Sequence, residues 1–510
     1  MVDARRRTLL RGGLLALGGL GAAACQGPDA PPAGPSPSAT ATATPTPGWD
    51  DLAGAVADLR RPGSPGYDPA ALSYNPRFRA RPEGVVTCRS VADVQACVRF
   101  VAEGGVAGGA GLRLRNGGHS YGGWSVGEGL VADLSGLDAV RVDAGAGRMR
   151  VGAGARLVDV YAAAAGAGVA LGAGSCPTIG ISGLTLGGGV GVLSRSLGLT
   201  CDQVVAADVV TADGRARTVD AEQEPDLFWA VRGGGPGIVA VTGWTFAVRP
   251  APDVTMFYRR WSFDRAADVL AAWQSWIADA PRELWSTTKL LVDADGPRVQ
   301  VSGSWTGSAP LEQVLAPLLT ALPTPTASSA RRLGYGAAMA YAAGCSGLDA
   351  AACTARALDA EHRLPFAATS SMLGDPLPDA GIDAMVAAVG ALGETRPAGA
   401  VEAGISVDAL GGAVADVAAA DSAFPWRTAL ATVQHTATWT GERDPAPFDA
   451  VVTGTREALR PWAGDSAYVN YADATLPDRA RACWGPNLER RRRIVARVDP
   501  DGVLATPAAP

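Results

Sequence analysis

Two short glycine-rich segments constrain this chain more than any other feature. One is Arg115-Asn116-Gly117-Gly118-His119-Ser120-Tyr121-Gly122-Gly123. The other is Gly174-Ser175-Cys176-Pro177-Thr178-Ile179-Gly180. Glycines permit positive φ and let the backbone approach a ligand closely, and backbone N–H groups in such loops can cradle phosphate. Each segment carries one reactive side chain, His119 in the first and Cys176 in the second. Alone, a turn histidine is an ordinary hydrogen-bonding group and a lone cysteine is a small buried hydrophobe. The surrounding glycines point instead to one ligand held from two sides.

The second segment continues through Gly183, Gly187, Gly188 and Gly189 to Arg195, Gly198 and Asp202. It contains no strict G-x-G-x-x-G, so a nicotinamide-binding fingerprint is not supported. A third block reads Asp226-Leu227-Phe228-Trp229-Ala230-Val231-Arg232-Gly233-Gly234-Gly235.

Composition narrows the function classes. A chain of 510 residues is too long for one compact domain. Its 47% apolar and 18% charged residues are those of a globular protein with a large core. Net charge is −6 and no basic stripe interleaves with aromatics, which argues against nucleic-acid binding. The run Arg491-Arg492-Arg493 reads as a solvated helix face. Three histidines, His119, His362 and His435, make a His-rich metal site unexpected. Lys289 is the only lysine, so Schiff-base chemistry would rest on it alone.

The N-terminus reads as a targeting segment, residues 1–25. Arg5-Arg6-Arg7-Thr8-Leu9-Leu10 fits a twin-arginine signal, and the apolar stretch after it is too short to span a bilayer. Ala22-Ala23-Ala24-Cys25 resembles a lipoprotein cleavage site, with Ala22 where Leu is usual. The protein is thus expected to be exported, either lipid-anchored at Cys25 or secreted. Residues 26–48, rich in Pro, Ala, Ser and Thr, form an expected tether. Setting Cys25 and Cys176 aside leaves six cysteines. Cys345 with Cys353 is the preferred disulfide, and Cys88 with Cys97 a second candidate.

Patterning predicts an α+β protein. Ser90 to Glu103 reads as a helix capped by Ser90. Strands are expected at Leu112–Arg115, Val131–Leu134, Arg148–Gly152 and Val204–Ala212, with a helix through Leu157, Val160 and Tyr161 and a loop from Gly172 to Gly191. This gives a first domain over 49–250. Trp261, Leu290–Val292, Val299–Trp305 and Thr428–Trp439 suggest an antiparallel sheet, with helices at Ala266–Ala278 and Pro310–Leu322 over it. That second domain covers 251–460, and 461–510 returns to the first.

A rival reading is contained in the first loop. Gly118-His119-Ser120-Tyr121-Gly122 is a literal G-x-S-x-G, the nucleophile elbow of serine hydrolases. That elbow needs a helix directly after the serine. The sequence Gly122-Gly123-Trp124-Ser125-Val126-Gly127 is a poor helix start.

Together the three blocks resemble the berberine-bridge-enzyme-like FAD-linked oxidases of the vanillyl-alcohol-oxidase superfamily. The resemblance runs from about Arg81 to Val248. It resumes at Phe424-Pro425-Trp426-Arg427, at Tyr468-Val469-Asn470-Tyr471, at Trp484-Gly485-Pro486-Asn487 and at Val498-Asp499-Pro500. It implies a PCMH-type FAD-binding domain of two subdomains plus a substrate domain. It also implies FAD linked through its 8α-methyl to His119 and through C6 to Cys176. Arg115, Asn116, Gly117, Gly118, Ser120, Gly180, Gly183, Gly187, Gly188, Gly189, Asp202, Val241 and Asn470 would line the cofactor path.

By the same resemblance, Tyr468 or Tyr471 would be the base and Gln434 would face the substrate. On a strand the two tyrosines would point opposite ways. Ile179 matches a position that influences oxygen access, where Val tends to admit oxygen and Leu to block it. Trp426 stands where many relatives have His. The expected function is oxidation of an alcohol or hemiacetal of a sugar or glycoside, by hydride transfer to the flavin, with oxygen or another acceptor. Alternatives are the serine hydrolase using Ser120 and a non-catalytic flavin-binding lipoprotein.

Overall fold

A computed structural model describes residues 46–106 and 110–504. The expected leader with Cys25, and the linker up to residue 45, lie outside the described residues.

Ser90 starts the first long helix as its pattern dictates. Its hydroxyl accepts from the Asp93 N–H, Asp93 reciprocates at the Ser90 N–H, and Val91–Ala102 follows. This helix packs beside a four-stranded sheet in the order Leu59–Arg60, Gly84–Thr87, Leu130–Asp133, Arg113–Arg115; the last three strands are parallel. A second, antiparallel sheet of five strands runs Val140–Asp143, Arg148–Gly152, Ala240–Ala247, Val204–Val210, Ala216–Asp220. One apolar core spans both sheets and includes Val98, Leu130, Val151, Trp244 and Phe246.

The expected loop from Gly172 to Gly191 is not continuous. Ile181–Leu186 is helical, with Ile181, Leu184 and Leu186 in the core. Burial of those apolar residues outweighs the surrounding glycines.

Residues 253–439 build a seven-stranded antiparallel sheet. Its order is Ala327–Gly334, Asp253–Ser262, Gly296–Trp305, Leu284–Asp293, Ala400–Ala409, Ala431–Trp439, Phe366–Leu373. Side chains alternate between its faces. Leu290, Val299, Ile405 and Val433 join a second apolar core beneath the helices Ala266–Ala278, Asp379–Thr395 and Ala446–Ala463. Residues of the other parity face the glycine loops, as Trp285 and Met256 show by joining the first core. Cys345 and Cys353 are disulfide-bonded, whereas Cys88 and Cys97 are free buried thiols.

The C-terminal segment locks the two halves together. Trp484 Nε1 donates to the Gly233 carbonyl at 3.2 Å and Arg491 Nε to the Gly234 carbonyl at 2.7 Å. A third apolar cluster joins Val190 and Leu199 to Phe424, Tyr468 and Trp484. At its edge Arg427 grips Asp202 through two bonds of 2.7 and 2.8 Å, and Arg427 is 1% exposed.

Removing one member of such a pair leaves the other charge buried and alone, which costs about 3–5 kcal/mol. Arg427→Ala should therefore lower the unfolding free energy by about that amount in urea titrations. Replacing Arg282 of the exposed pair with Asp416 should leave the midpoint unchanged.

Candidate functional site

The two glycine loops touch each other. A Cβ on Gly117 would strike the Thr178 carbonyl and the Gly180 nitrogen, and one on Gly180 would strike the Asn116 side chain. Only glycine permits that approach. The Asn116 carbonyl oxygen accepts from the Ser182 N–H at 3.1 Å, which ties the first loop to the start of the Ile181–Leu186 helix.

His119 is held at this junction. Its Nε2 is 2.9 Å from the Thr178 hydroxyl, and its ring stacks on Tyr74 with centroids 3.5 Å apart. Burial, and secondarily the charge of Arg156, push its pKa down to about 3, so the ring is neutral at ordinary pH. Its other nitrogen, Nδ1, makes no hydrogen bond to a described residue.

Cys176 has an exposed side chain although protein surrounds it, and that burial pushes its thiol up while the charge of Lys289 pulls it down. Both facts fit a thiol lining an internal void. Gly183 is likewise exposed among buried neighbours, with no atom within 4 Å of the place a Cβ would take. The Asn116 amide nitrogen is buried without a partner, a state costing about 1–3 kcal/mol unless a ligand satisfies it. These residues fit a large group with hydrogen-bond acceptors, bound between the loops and the sheet.

Several expected cofactor residues have other employment. Arg115 pairs with Asp133 at 2.8 Å and donates to the Leu72 carbonyl. Asp202 is consumed by Arg427 and the Leu199 N–H, at 2.9 Å for the latter. Val241 is a core residue in register with Val209. A Cβ on Gly187 would hit Asn470, one on Gly188 would crowd Phe424, and one on Gly189 would hit Thr200. Those glycines serve packing. Gly118, at φ 72°, supplies a left-handed turn against Tyr74.

Ser120 accepts from the Trp124 N–H at 3.2 Å, and turns rather than a helix follow it. No elbow forms. His435 bonds Ser371 and Thr455, on the helix side of the seven-stranded sheet. The serine hydrolase has no catalytic geometry here.

The tyrosines are not on a strand. Tyr468 caps a 3₁₀ turn, Val469–Tyr471, so the two rings meet edge to face at 4.8 Å instead of pointing apart. Their environments still separate them. The Tyr468 hydroxyl accepts from the Gly189 N–H (2.9 Å), the Val190 N–H (3.1 Å) and the Asn470 amide (2.8 Å), and the residue is 1% exposed. Asn470 also donates to the Leu184 carbonyl. Tyr468 and Asn470 thus pin the glycine segment. Tyr471 has no such bonds. It is half-buried and stacks on Tyr121 at 5.1 Å, and the Tyr121 hydroxyl bonds the Gln434 amide.

Asp408, which the sequence does not single out, and Lys289, noted there only as the sole lysine, lie on the same sheet face. Cross-strand pairing of Ser406 with both Lys289 and Gln434, and of Asp408 with Thr287 and Thr432, puts Lys289 and Asp408 on the sheet face toward the loops. Burial pushes the Asp408 carboxyl above the ordinary carboxylate range, and Lys289 partly offsets this. Burial also pushes the Tyr471 hydroxyl well above its ordinary value, reinforced by Tyr121 and by Asp408. Strict alternation in Lys289-Leu290-Leu291-Val292 is hidden by Leu291. The sequence therefore offered no signal that Lys289 faces inward.

Family models match at residues 82–220, described as an FAD binding domain, and at 467–509, described as berberine and berberine like. The FAD-linked oxidoreductase YgaK of Bacillus subtilis is 30% identical over 448 residues, covering 86% of this chain and 93% of that protein. Among solved structures, BBE-like 1 of Physcomitrella patens superposes with a TM-score of 0.81 at 30% identity, covering 90% of this chain and 98% of its own. The glucooligosaccharide oxidase of Acremonium strictum, described as carrying 6-S-cysteinyl, 8α-N1-histidyl FAD, gives a TM-score of 0.76 at 26% identity, covering 89% and 96%. FAD is accordingly the cofactor of this chain.

Wild-type protein precipitated with acid should stay yellow in the pellet. His119→Ala combined with Cys176→Ala should release its flavin into the supernatant, read by absorbance and by the mass of the polypeptide. Flavin still attached to the double variant would remove both residues from the linkage.

Proposed function

This chain belongs to the berberine-bridge-enzyme-like FAD-linked oxidoreductases of the PCMH superfamily, and we propose that it oxidises an alcohol or hemiacetal of a sugar or glycoside with a flavin bound at two points. The observation that carries this reading is the close contact of the two glycine loops that bear His119 and Cys176, at Gly117 and Gly180. The Nε2 of His119 is engaged with the Thr178 hydroxyl at 2.9 Å, which leaves Nδ1 as the nitrogen for the 8α link. The Cys176 thiol supplies the second link. The likeness to a glucooligosaccharide oxidase supports the sugar class.

A bound FAD would supply the hydride acceptor for the substrate carbon. The protein's own task is the hydroxyl proton. Tyr471 is the group that meets it, because its hydroxyl is free of backbone bonds whereas that of Tyr468 is saturated. A tyrosine with a raised pKa is protonated, so it relays: it takes the substrate proton as it passes its own to Asp408, whose raised pKa makes it a better acceptor than an ordinary carboxylate. Gln434 and Tyr121, bonded to each other, hold the wall beside Tyr471. Oxygen or another acceptor completes the cycle, with Ile179 beside Thr178 as the residue that sets oxygen access. Export through the Arg5–Cys25 leader belongs to the same proposal.

The experiment is anaerobic mixing with oligosaccharides and glycosides while the flavin absorbance is followed. Bleaching by a sugar supports the reading, and no bleaching by any sugar overturns the substrate class. Tyr471→Phe and Asp408→Asn should each slow bleaching about 10²–10⁴-fold. Tyr468→Phe should chiefly lower stability, by about 1–3 kcal/mol, since two backbone N–H groups lose their acceptor. In the wild type the bleaching rate should rise with pH through the elevated carboxyl pKa, because only ionised Asp408 accepts a proton. Asp408→Asn should flatten that limb. An unchanged pH profile would sink the relay.

A further inference from the structure

One row of side chains crosses the sheet face toward the flavin loops. Cross-strand pairing places Arg260, Gln300, Lys289, Ser406, Gln434 and Ser370 side by side. Its two ends differ. Arg260 is exposed to solvent, whereas Ser370 is fully buried and its hydroxyl accepts from the Tyr468 N–H at 3.1 Å. The row thus leads from the surface inward to Gln434, which touches Tyr121 beside Tyr471.

Lys289 sits midway along this row and is the only lysine in the chain. It makes no hydrogen bond or ion pair with a described residue. Other cations of this half-buried kind are satisfied: Arg298 bonds Asp293 and Glu402, and Arg77 bonds Asp449. A cation serving only to neutralise Asp408 would be in contact with it. Lys289 instead belongs to the neighbouring row, where Ser406 is its partner, and it also acts on the thiol of Cys176 across the void. An unpaired ammonium held part-way into a cleft is costly unless an anion meets it there.

We propose that Lys289 binds a carboxylate of the substrate, so that the natural substrate is an acidic sugar, a uronic or aldonic acid unit within a glycoside or oligosaccharide. This inference rests on the sugar-oxidase reading above. The neighbours of Lys289 in the row, Gln300, Ser406 and Gln434, are uncharged donors and acceptors suited to hydroxyls. One ammonium matches one carboxylate, and the paired arginine fork that favours a phosphate is missing from the middle of the row. Lys289 and Gln434 are two strands apart, roughly 10 Å between backbones. The anionic group therefore lies about one sugar unit from the carbon oxidised beside Tyr471.

The test uses the flavin-loaded protein and matched disaccharides, one neutral and one bearing a uronic acid. Dissociation constants come from flavin absorbance perturbation and kcat/KM from anaerobic bleaching. The acidic sugar should be preferred about tenfold or more at low salt, and 0.5 M salt, a roughly fivefold increase over 0.1 M, should erode the preference. Lys289→Gln should abolish the preference mainly through Kd, with Lys289→Arg restoring part of it. Retained covalent flavin shows each variant is folded. Equal use of both sugars by wild type and Lys289→Gln overturns the role of Lys289 and leaves the oxidase reading standing. Bleaching by neither sugar, with the flavin intact, overturns the sugar reading and this inference with it.

Discussion

The close passage of two backbones at Gly117 and Gly180 is the contact on which the rest of this molecule depends. A single Cβ at either position would meet a carbonyl, an amide or the Asn116 side chain. Because the loops touch, His119 and Cys176 can look into one void although they belong to different parts of the sequence. Asn116 reinforces the contact by accepting from the Ser182 N–H, and its own amide nitrogen is left buried without a partner.

Around that junction the remainder of the chain acts as a clamp. The 3₁₀ turn at Tyr468 returns from the far end of the sequence and gives its hydroxyl to two N–H groups of the second loop. Arg427 and Asp202 hold the same loop to the Phe424 block through a buried two-bond ion pair. Arg195 reaches the other way and donates to the carbonyls of Ala280 and of Leu284, where the central strand of the seven-stranded sheet begins. Many residues that resemble cofactor contacts are thus parts of the frame that keeps the cofactor loops in place.

Burial sets the chemistry of the site. It keeps His119 neutral and therefore nucleophilic, and it keeps Tyr471 protonated. It also raises Asp408 toward a proton-accepting range. The charge of Lys289, on the same sheet face, acts against burial at both Asp408 and Cys176. One cation thereby bears electrostatically on both groups.

The glycine loops, the helix that starts at Ser90, the strands of the flavin-binding half and the Cys345–Cys353 pair were legible in the sequence, because each depends on local rules: backbone freedom at glycine, a capping hydroxyl, period-two burial, short loop closure. Local rules could not say which of two tyrosines is free, since the answer lies in N–H groups of Gly189 and Val190 that reach Tyr468 only after folding. They did not reveal the ion pairs of Asp202 and Arg115, whose partners Arg427 and Asp133 are brought in by the fold. They were silent on where Asp408 and Lys289 face, because a single charged residue on a strand carries no sign of which face it takes. The residues near each other in sequence determined the loops that hold the cofactor. Cross-strand register, which pairs positions more than a hundred residues apart, decided which side chains face those loops.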